Sequence, residues 1–459
     1  MRAHRCTCGA AEHRRVAVHR NRRRRAAGLA FRALRQLRVL GTGREGDPLM
    51  EAGLWHVLGV GCGNLPRMLR RSLRTIKKAI AAGTMRAAPL RRMEAESLLR
   101  LRDYRAAFEA FTKVARFASE EDLHVAPFRL RHDVLLLERL VAAGRISAAV
   151  GHPAAQQLHQ ALTSLGEECM QGQLWVARVT DLPIEVQESL RSALYDRLEC
   201  VCPTPRQELL WEDKDPLNSE IDWDALEEDF LDNGLIVVDE FFCAEALQEL
   251  WRYSMEGTCF RSLRPGYLGA FPWDGCVHPL LRCAAERLEE RLPRILHRRP
   301  LARWWLFKYL DPGSSGIGVH ADEAAVNFNI WLTPTSACRR GGGMEIYRSV
   351  PGQGTWTADF NSVRSDAGQE EVCRAAMKSG GVDYVAYRQN RACVFVSDRF
   401  HASEPFEFPD VENPRVNLTL LFGDRHEVQR TRRSSSSFFV RRSGASASPG
   451  AQASDLRIS

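Results

Sequence analysis

The hydrophobic residues follow two different periods along the chain. Between residues 68 and 192, Leu, Ala and Phe recur at spacings of three and four, which gives a helix one apolar face. After Gly234 the spacing changes to two, as in strands that bury one face. Short predicted strands, separated by Gly, Pro, Asn and Asp, favour an all-β barrel or sandwich. They cover residues 235–238, 302–310, 326–333, 344–347, 382–387, 392–397 and 415–422, with helices at 243–255 and 278–292.

One helical stretch, residues 93–117, has a more specific pattern. It resembles a single tetratricopeptide repeat, a pair of antiparallel helices with small and aromatic residues at fixed positions. The positions that carry this resemblance are Ala95, Leu98, Leu99, Tyr104, Ala107, Phe111 and Val114. One repeat cannot bury its own apolar face, and residues 127–150 are the candidate for a degenerate second copy. An ordinary helical hairpin is the alternative, and the predicted tetratricopeptide-like domain covers residues 47–200.

Residues 201–233 form a predicted linker with an acidic helix. Pro203, Pro205 and Pro216 interrupt the helical pattern, and residues 212–232 contain ten acidic residues and one Lys. The helix is predicted to begin near Ser219 or Asp222 and to end before Gly234. We interpret the acidic run as a solvated helix face without a binding role.

Charge is distributed unevenly over the 459 residues. Lys and Arg number 64 against 57 acidic residues, a net charge of +7. Residues 1–90 hold 20 basic and 4 acidic residues and residues 425–459 hold 7 and 2, which leaves 37 basic and 51 acidic residues between them. Because the basic excess lies at the ends rather than on the folded body, we predict no nucleic-acid partner.

The two termini and the cysteines indicate where in the cell the protein is expected. Residues 1–46 are Arg-rich and resemble a transit peptide for a chloroplast or mitochondrion; a disordered basic arm or a misassigned start codon are the alternatives. Residues 425–459 are Ser-rich and predicted to be disordered. Thirteen scattered cysteines without a Cys-x-x-Cys pattern predict an intracellular, reducing compartment, cytoplasmic or organellar. No apolar run approaches the roughly 20 residues of a membrane span.

Candidate metal-ligating residues lie at two strand ends. His320 and Asp322 are two residues apart just before a predicted strand, and His401 follows another strand. Two His and one carboxylate can form a facial triad that leaves three positions open on an octahedral ferrous ion. Glu323 is an alternative carboxylate. The strands at 326–333 and 415–420 each carry polar side chains on one face, which predicts either a wet pocket or an external solvent face.

Residues 234–424 resemble the 2-oxoglutarate and iron(II)-dependent oxygenases, in particular the prolyl 4-hydroxylase branch. The motifs that carry the resemblance are GLIVVDEFF (234–242), FKYLDPG (307–313), VHAD (319–322), NIWL (329–332), GGMEI (342–346), FVSDRFH (395–401) and RVNLT (415–419). The resemblance implies a double-stranded β-helix, or jelly roll, with flanking helices. The whole chain is then an α+β multidomain protein, with the jelly roll at 234–424 after the helical domain.

The resemblance also implies roles for individual residues. Iron is assigned to His320, Asp322 and His401. Arg415 is expected to bind the distal carboxylate of 2-oxoglutarate, because a guanidinium matches a carboxylate in bidentate fashion and keeps its charge when buried. The other residues expected near this cosubstrate are Tyr309, Asn417 and Thr419.

The implied reaction is a hydroxylation that consumes O2 and 2-oxoglutarate and releases succinate and CO2, with ascorbate as an accessory reductant. A peptide or protein side chain presented by the helical region is the first expected substrate, before a small metabolite. Two other functions are open: a helical-repeat adaptor with an inactive jelly roll, and a cupin-like metal binder that uses the barrel without the cosubstrate. The second leaves Arg415 without a role.

Overall fold

The computed structural model describes most of the helical region and nearly all of the β region. The described residues are 48–61, 66–81, 87–115, 124–164, 177–178, 184–190, 211, 214–264, 266–310, 313–314, 316–350, 361 and 381–425. The predicted leader at 1–46 and the tail beyond Arg425 lie outside them. No helix within these ranges combines the length and the apolar character needed to cross a membrane.

Helices dominate the N-terminal region, as the periodicity predicts. Those before residue 200 are α1 (Pro48–Gly61), α2 (Pro66–Ala81), α3 (Ala87–Arg100), α4 (Tyr104–Ala115), α5 (Pro127–Ala142), α6 (Ala148–Ser164) and α7 (Ile184–Leu190). Those after it are α8 (Trp223–Asn233), α9 (Ala244–Glu256), α10 (Pro279–Arg291) and α11 (Pro293–Leu296). Two short strands, β1 (His124–Val125) and β2 (Ala177–Arg178), pair within the region predicted as purely helical. Two-residue strands are too short to have a recognisable period.

The predicted acidic helix is α8, and its ends have clear physical causes. Asp222 caps it, with its side chain accepting a hydrogen bond from the amide of Ala225 at 3.1 Å. At the other end, Gly234 adopts φ 66°, a left-handed conformation that favours glycine, and donates to the carbonyl of Phe230. The chain turns there directly into β3 (Leu235–Val238), the first strand of the β region.

Three antiparallel sheets make up the β region. Their strands are β3, β4 (Ser262–Arg264), β5 (Tyr267–Ala270), β6 (Leu301–Tyr309), β7 (Gly313–Ser314), β8 (Val326–Trp331), β9 (Arg340–Gly341), β10 (Met344–Tyr347), β11 (Val382–Val385), β12 (Ala392–Val396), β13 (His401–Ser403), β14 (Phe406–Glu407) and β15 (Val416–Phe422). The large sheet has the order β3-β12-β8-β15-β6-β5-β4, and two three-stranded sheets have the orders β11-β10-β13 and β7-β14-β9. The hairpin β4–β5 is absent from the sequence prediction, because its strands are short and lie close to the tight turn at Gly266.

The strand order is that of the predicted jelly roll. Along the chain, strands alternate between the large sheet (β6, β8, β12, β15) and the small ones (β7, β9–β11, β13–β14). A shared apolar cluster joins β8 and β12 of the large sheet to β10 and β11 of the small sheet. The inner faces of the sheets therefore pack against one another.

Alternation along β8 and β15 separates two environments. Phe328 and Ile330 of β8 belong to the main hydrophobic core, together with Leu418 and Leu420 of β15. The residues between them, which are polar, point to the opposite face, toward the space between the sheets. The polar faces predicted from sequence therefore line an interior pocket rather than an external surface.

The helical hairpin predicted from residues 93–117 is formed by α3 and α4, and it packs on the jelly roll. Trp304 of β6 is fully buried, stacks on Phe108 at 4.6 Å between ring centroids and meets Phe111 edge-on at 5.5 Å. Residues of α3 and α4 share one apolar cluster with the large sheet. The hairpin is thus part of the β region's core; its identity as a tetratricopeptide repeat stays a prediction.

Replacing Trp304 with Ala is expected to lower the free energy of unfolding by about 3–5 kcal/mol. The substitution removes two aromatic contacts and a hydrogen bond from Nε1 to the carbonyl of Cys276 at 2.7 Å. Urea unfolding followed by circular dichroism measures the change, with the exposed Tyr384→Ala variant as control. A loss below about 1 kcal/mol would contradict this account of how the helices are held on the sheet.

Candidate metal centre and its pocket

The two histidines of the predicted triad are brought together by backbone pairing. His320 and His401 form an isolated antiparallel bridge, in which each amide donates to the other's carbonyl at 2.9 and 2.8 Å. His401 is the first residue of β13, and its partner on the other side is Ile346 of β10. The pairing places the two imidazole rings 4.2 Å apart between centroids.

Asp322 completes a group of three ligand-type side chains. One ligating atom from each of His320, Asp322 and His401 can be chosen so that all lie within 4.8 Å of one another. The carboxylate Oδ2 lies 3.5 Å from Nε2 of His401. Glu323, the alternative carboxylate, instead lies 4.0 Å from the guanidinium of Arg303 and is half exposed. The geometry therefore favours Asp322 as the carboxylate of the triad.

Both imidazole rings are oriented by the backbone just before them. Nδ1 of His320 donates to the carbonyl of Gly318 at 2.8 Å, and Nδ1 of His401 donates to the carbonyl of Arg399 at 3.0 Å. Because the proton on Nδ1 is engaged, Nε2 of each ring keeps a free lone pair. Such carbonyl partners are typical of histidines that ligate metals.

The electrostatic environment favours the ligand forms of these groups. Burial, reinforced by the nearby His401, lowers the pKa of His320 to about 4, so its ring is neutral at physiological pH. Burial alone would raise the pKa of Asp322, but the neighbouring His401 and His320 hold that pKa below its usual value. A neutral imidazole and an ionised carboxylate are the states that bind a divalent cation.

Asn327 positions the Asp322 carboxylate. Its Nδ2 donates to Oδ2 of Asp322 at 2.7 Å, and the Asn327 side chain is fully buried. Strand alternation places Asn327 on the polar face of β8 but does not predict a role for it. Its position five residues after Asp322, at the start of β8, is the only signal that sequence offers.

Replacing Asn327 with Leu is expected to weaken metal binding by roughly 10- to 100-fold, as loss of an outer partner of a ligand does. Titration of the metal-free protein with Mn²⁺, followed by calorimetry, measures the affinity. Asn329→Leu is the matched control: it lies two residues further on the same face and bonds to Thr419 rather than to the carboxylate. Equal losses in the two variants would show that Asn327 has no specific role at Asp322.

Arg415 lines the same pocket as the triad. Its side chain is 1% exposed, yet among the described residues no carboxylate lies within ion-pair distance of it. Nη1 donates to Oδ1 of Asn417 at 3.1 Å, Nη2 donates to the carbonyl of Gly342 at 3.0 Å, and Nε has no partner. A buried cation without a counter-ion and with an unused donor is suited to bind an anion.

Aromatic rings hold the guanidinium in place. The centroids of Tyr309 and Phe406 each lie 4.9 Å from the central carbon of Arg415. Gly342, whose carbonyl accepts from the guanidinium, has φ 82°, and a Cβ there would meet Phe408 at 3.2 Å. Glycine at this position therefore lets the backbone pass close to the Phe408 ring while its carbonyl accepts from Arg415.

All seven predicted site residues line a single pocket between the sheets. The side chains that line it are Trp305, Phe307, Tyr309, Ile317, His320, Asp322, Asn329, Met344, His401, Ser403, Arg415, Asn417 and Thr419. Thr419 Oγ1 accepts from Nδ2 of Asn329 at 3.3 Å, which links the polar faces of β15 and β8. Sequence reasoning did not assign Asn329, Ser403 or the apolar wall to the site, although strand alternation places Asn329 on the correct face.

Comparison with known proteins gives partial matches of fold only. No family model and no curated protein matches the chain. A prolyl-4-hydroxylase from Pseudomonas putida is 14% identical, with 46% of this chain and 96% of that chain covered and a TM-score of 0.28. HygX from Streptomyces hygroscopicus, solved with nickel and 2-oxoglutarate, is 13% identical, with 43% and 86% covered and a TM-score of 0.28. The non-heme alpha ketoglutarate dependent carbocyclase SnoK from nogalamycin biosynthesis is 13% identical, with 47% and 92% covered and a TM-score of 0.33.

Proposed function

We propose that the chain is a 2-oxoglutarate- and Fe(II)-dependent dioxygenase that hydroxylates its substrate. One observation carries the proposal: a single pocket is lined by two His, one Asp and a buried Arg that has no carboxylate partner among the described residues. A protein that only binds a metal needs the two His and the Asp but not a buried Arg. A site that binds a 2-oxo acid to both the metal and Arg415 needs all four side chains.

The residues present fit a ferrous ion. Nε2 of His320, Nε2 of His401 and the Asp322 carboxylate would supply one face of an octahedron, leaving three positions free. When bound together, the ion and 2-oxoglutarate supply the oxidation, with O2 consumed and succinate and CO2 released. The protein's own contribution is to hold, orient and shield the reactants.

Arg415 fixes the far end of the cosubstrate. Its free Nε and the adjoining edge of the guanidinium offer hydrogen bonds to the distal carboxylate, while Asn417 and the carbonyl of Gly342 keep the group from rotating. The Tyr309 ring packs against the guanidinium and limits water around it. Local positive charge is needed because the surrounding body of the chain is acidic.

The apolar wall shields the reacting end. Trp305, Phe307 and Met344 line the same pocket as the triad and Arg415. Removing water from this space strengthens every charge interaction within it. Burial also lowers the pKa of His320, so this ring is neutral and available as a ligand.

We propose a peptide or protein side chain as the substrate, on the resemblance of the motifs to the prolyl 4-hydroxylase branch. Candidate substrates should be tested in this order: a prolyl residue of a protein, another peptide side chain, and a small metabolite. The adaptor alternative, in which the jelly roll is inactive, is less well supported. A decayed site has no reason to keep His320, Asp322, His401 and Arg415 assembled in one pocket.

Turnover of 2-oxoglutarate tests the proposal without knowledge of the substrate. Purified protein with ferrous iron and ascorbate should convert 2-oxoglutarate slowly to succinate in air, measured by mass spectrometry. Removing iron with a chelator should stop the reaction, and adding iron back should restore it. Absence of both succinate formation and iron-dependent 2-oxoglutarate binding would refute the enzyme assignment.

A further inference from the structure

A second cavity lies where the helical region meets the jelly roll. Its volume is about 350 Å³, within the range of small-molecule sites. It is bounded by α5 and α6, by the end of β6 and by residues 408–414 before β15. Cavities at such junctions between structural units are common positions for ligands.

Most of the cavity wall is apolar. Phe128, Leu135, Leu136 and Leu162 contribute from the helices, and Leu310 and Phe408 contribute from the jelly roll. Val411, which is 58% exposed, also lines it, so the cavity reaches the protein surface there. A ligand can therefore enter without unfolding of the core.

Lys308 is the unusual member of this wall. Its side chain is 1% exposed, and Nζ makes one hydrogen bond, to Nε2 of His132 at 3.0 Å. Nζ also lies 4.1 Å from the centroid of the Phe260 ring. No carboxylate of the described residues forms an ion pair with Lys308, although its protonated ammonium group has three hydrogens to donate.

The partner of Lys308 is fixed as an acceptor. Nδ1 of His132 donates to Oδ1 of Asp133 at 2.9 Å, and the other carboxylate oxygen lies 3.4 Å from Nε of Arg129. The Asp133 charge is thereby engaged with Arg129. His132 consequently presents its Nε2 lone pair to Lys308 and supplies no negative charge.

The pKa of Lys308 and the charges around it fit a lysine that has no negatively charged partner in the protein. Burial and the charge of Arg139 lower the pKa of Lys308 to about 7. The other charged groups on the wall are Arg131, Arg139 and Asp410, of which Asp410 accepts hydrogen bonds from the loop that contains it. Arg139 is paired with Glu412, whereas Lys308 is a buried cation of this wall without a carboxylate partner among the described residues.

The cavity is distinct from the metal pocket. Lys308 alternates along β6 with Phe307 and Tyr309, which line the metal pocket, so its side chain points to the opposite face of the sheet. Only Tyr309, at the end of the strand, lines both spaces. A ligand in the second cavity would touch the ring that packs on Arg415.

We propose that this cavity is a second ligand site, which binds a small apolar carboxylate with its acid group on Lys308 and its hydrocarbon body among the leucines. The carboxylate supplies the counter-ion that the protein does not. The proposal is independent of the iron and 2-oxoglutarate chemistry.

Octanoate and 1-octanol, which share a hydrocarbon chain and differ in the acid group, are suitable probes. Calorimetry on the full, chelator-treated chain should show one octanoate per molecule, bound at least tenfold more tightly than 1-octanol. Lys308→Met should weaken octanoate binding tenfold or more while 1-octanol binding is kept. The exposed Lys113→Met and the pocket variant Arg415→Met should both bind octanoate as the wild type does.

A cavity-filling variant covers the case in which Lys308→Met fails to fold. Val134→Trp places a large ring in the cavity and should abolish binding of both probes, with folding checked by circular dichroism. Failure of the wild type to bind octanoate, or equal affinity for octanoate and 1-octanol, would overturn the proposal. The proposal would also be overturned if Val134→Trp left octanoate binding intact, or if Arg415→Met abolished it.

Discussion

The Asp322→Ala variant is expected to lose ferrous binding and all turnover of 2-oxoglutarate. The substitution removes the one carboxylate of the group and leaves the two imidazoles as the remaining ligands. The affinity should fall by more than the roughly 10- to 100-fold that follows loss of an outer partner such as Asn327. Calorimetric titration with Mn²⁺ and the succinate assay measure the two losses.

The neighbouring carboxylate provides a matched control. Glu323→Ala removes the same charge one residue away, from a half-exposed side chain that faces Arg303. It should leave the metal affinity and succinate formation close to wild type. If Glu323→Ala abolished metal binding while Asp322→Ala did not, the triad would have to be reassigned.

Replacing Arg415 with Met is expected to weaken 2-oxoglutarate binding by 2–5 kcal/mol, about 30- to 5000-fold, while metal binding stays unchanged. Met fills a similar volume, and removing a buried cation without a counter-ion should not destabilise the fold. Binding of 2-oxoglutarate to the metal-loaded variant, measured anaerobically by calorimetry, gives the loss. Thermal unfolding verifies the fold.

Two further variants separate charge from geometry at this position. Arg415→Lys keeps the charge but loses the planar fork, so its 2-oxoglutarate affinity should fall between those of wild type and Arg415→Met. Arg388→Met removes an exposed guanidinium paired with Asp239 and should have no effect. Unchanged 2-oxoglutarate affinity in Arg415→Met would mean that the cosubstrate binds elsewhere or not at all.

Much of the β region could be predicted from the alternation of polar and apolar residues along its strands. The polar faces of β8 and β15, predicted from every second residue, do face a pocket, because the opposite faces carry the apolar residues of the main core. The His-x-Asp spacing and the position of His401 after a strand make a triad possible, and the resemblance to the oxygenases is what assigns iron to these three residues. The structure brings these side chains within reach of one ion.

Other features depend on contacts that sequence does not encode locally. The hydrogen bond from Asn327 to Asp322 and the carbonyl partners of the two histidines arise from turn geometry. The packing of α3 and α4 on Trp304 joins residues almost 200 positions apart, so periodicity could predict the helices but not their partner. The cavity around Lys308 has the same origin, since its walls come from two distant parts of the chain.

The central claim is that the triad and Arg415 act as one site for a metal and a 2-oxo acid. Its most direct test is calorimetric titration of 2-oxoglutarate into the protein without oxygen, with and without ferrous iron. The account predicts one 2-oxoglutarate per chain with iron and at least tenfold weaker binding after chelation. Binding that does not depend on iron, or no binding under either condition, would contradict it.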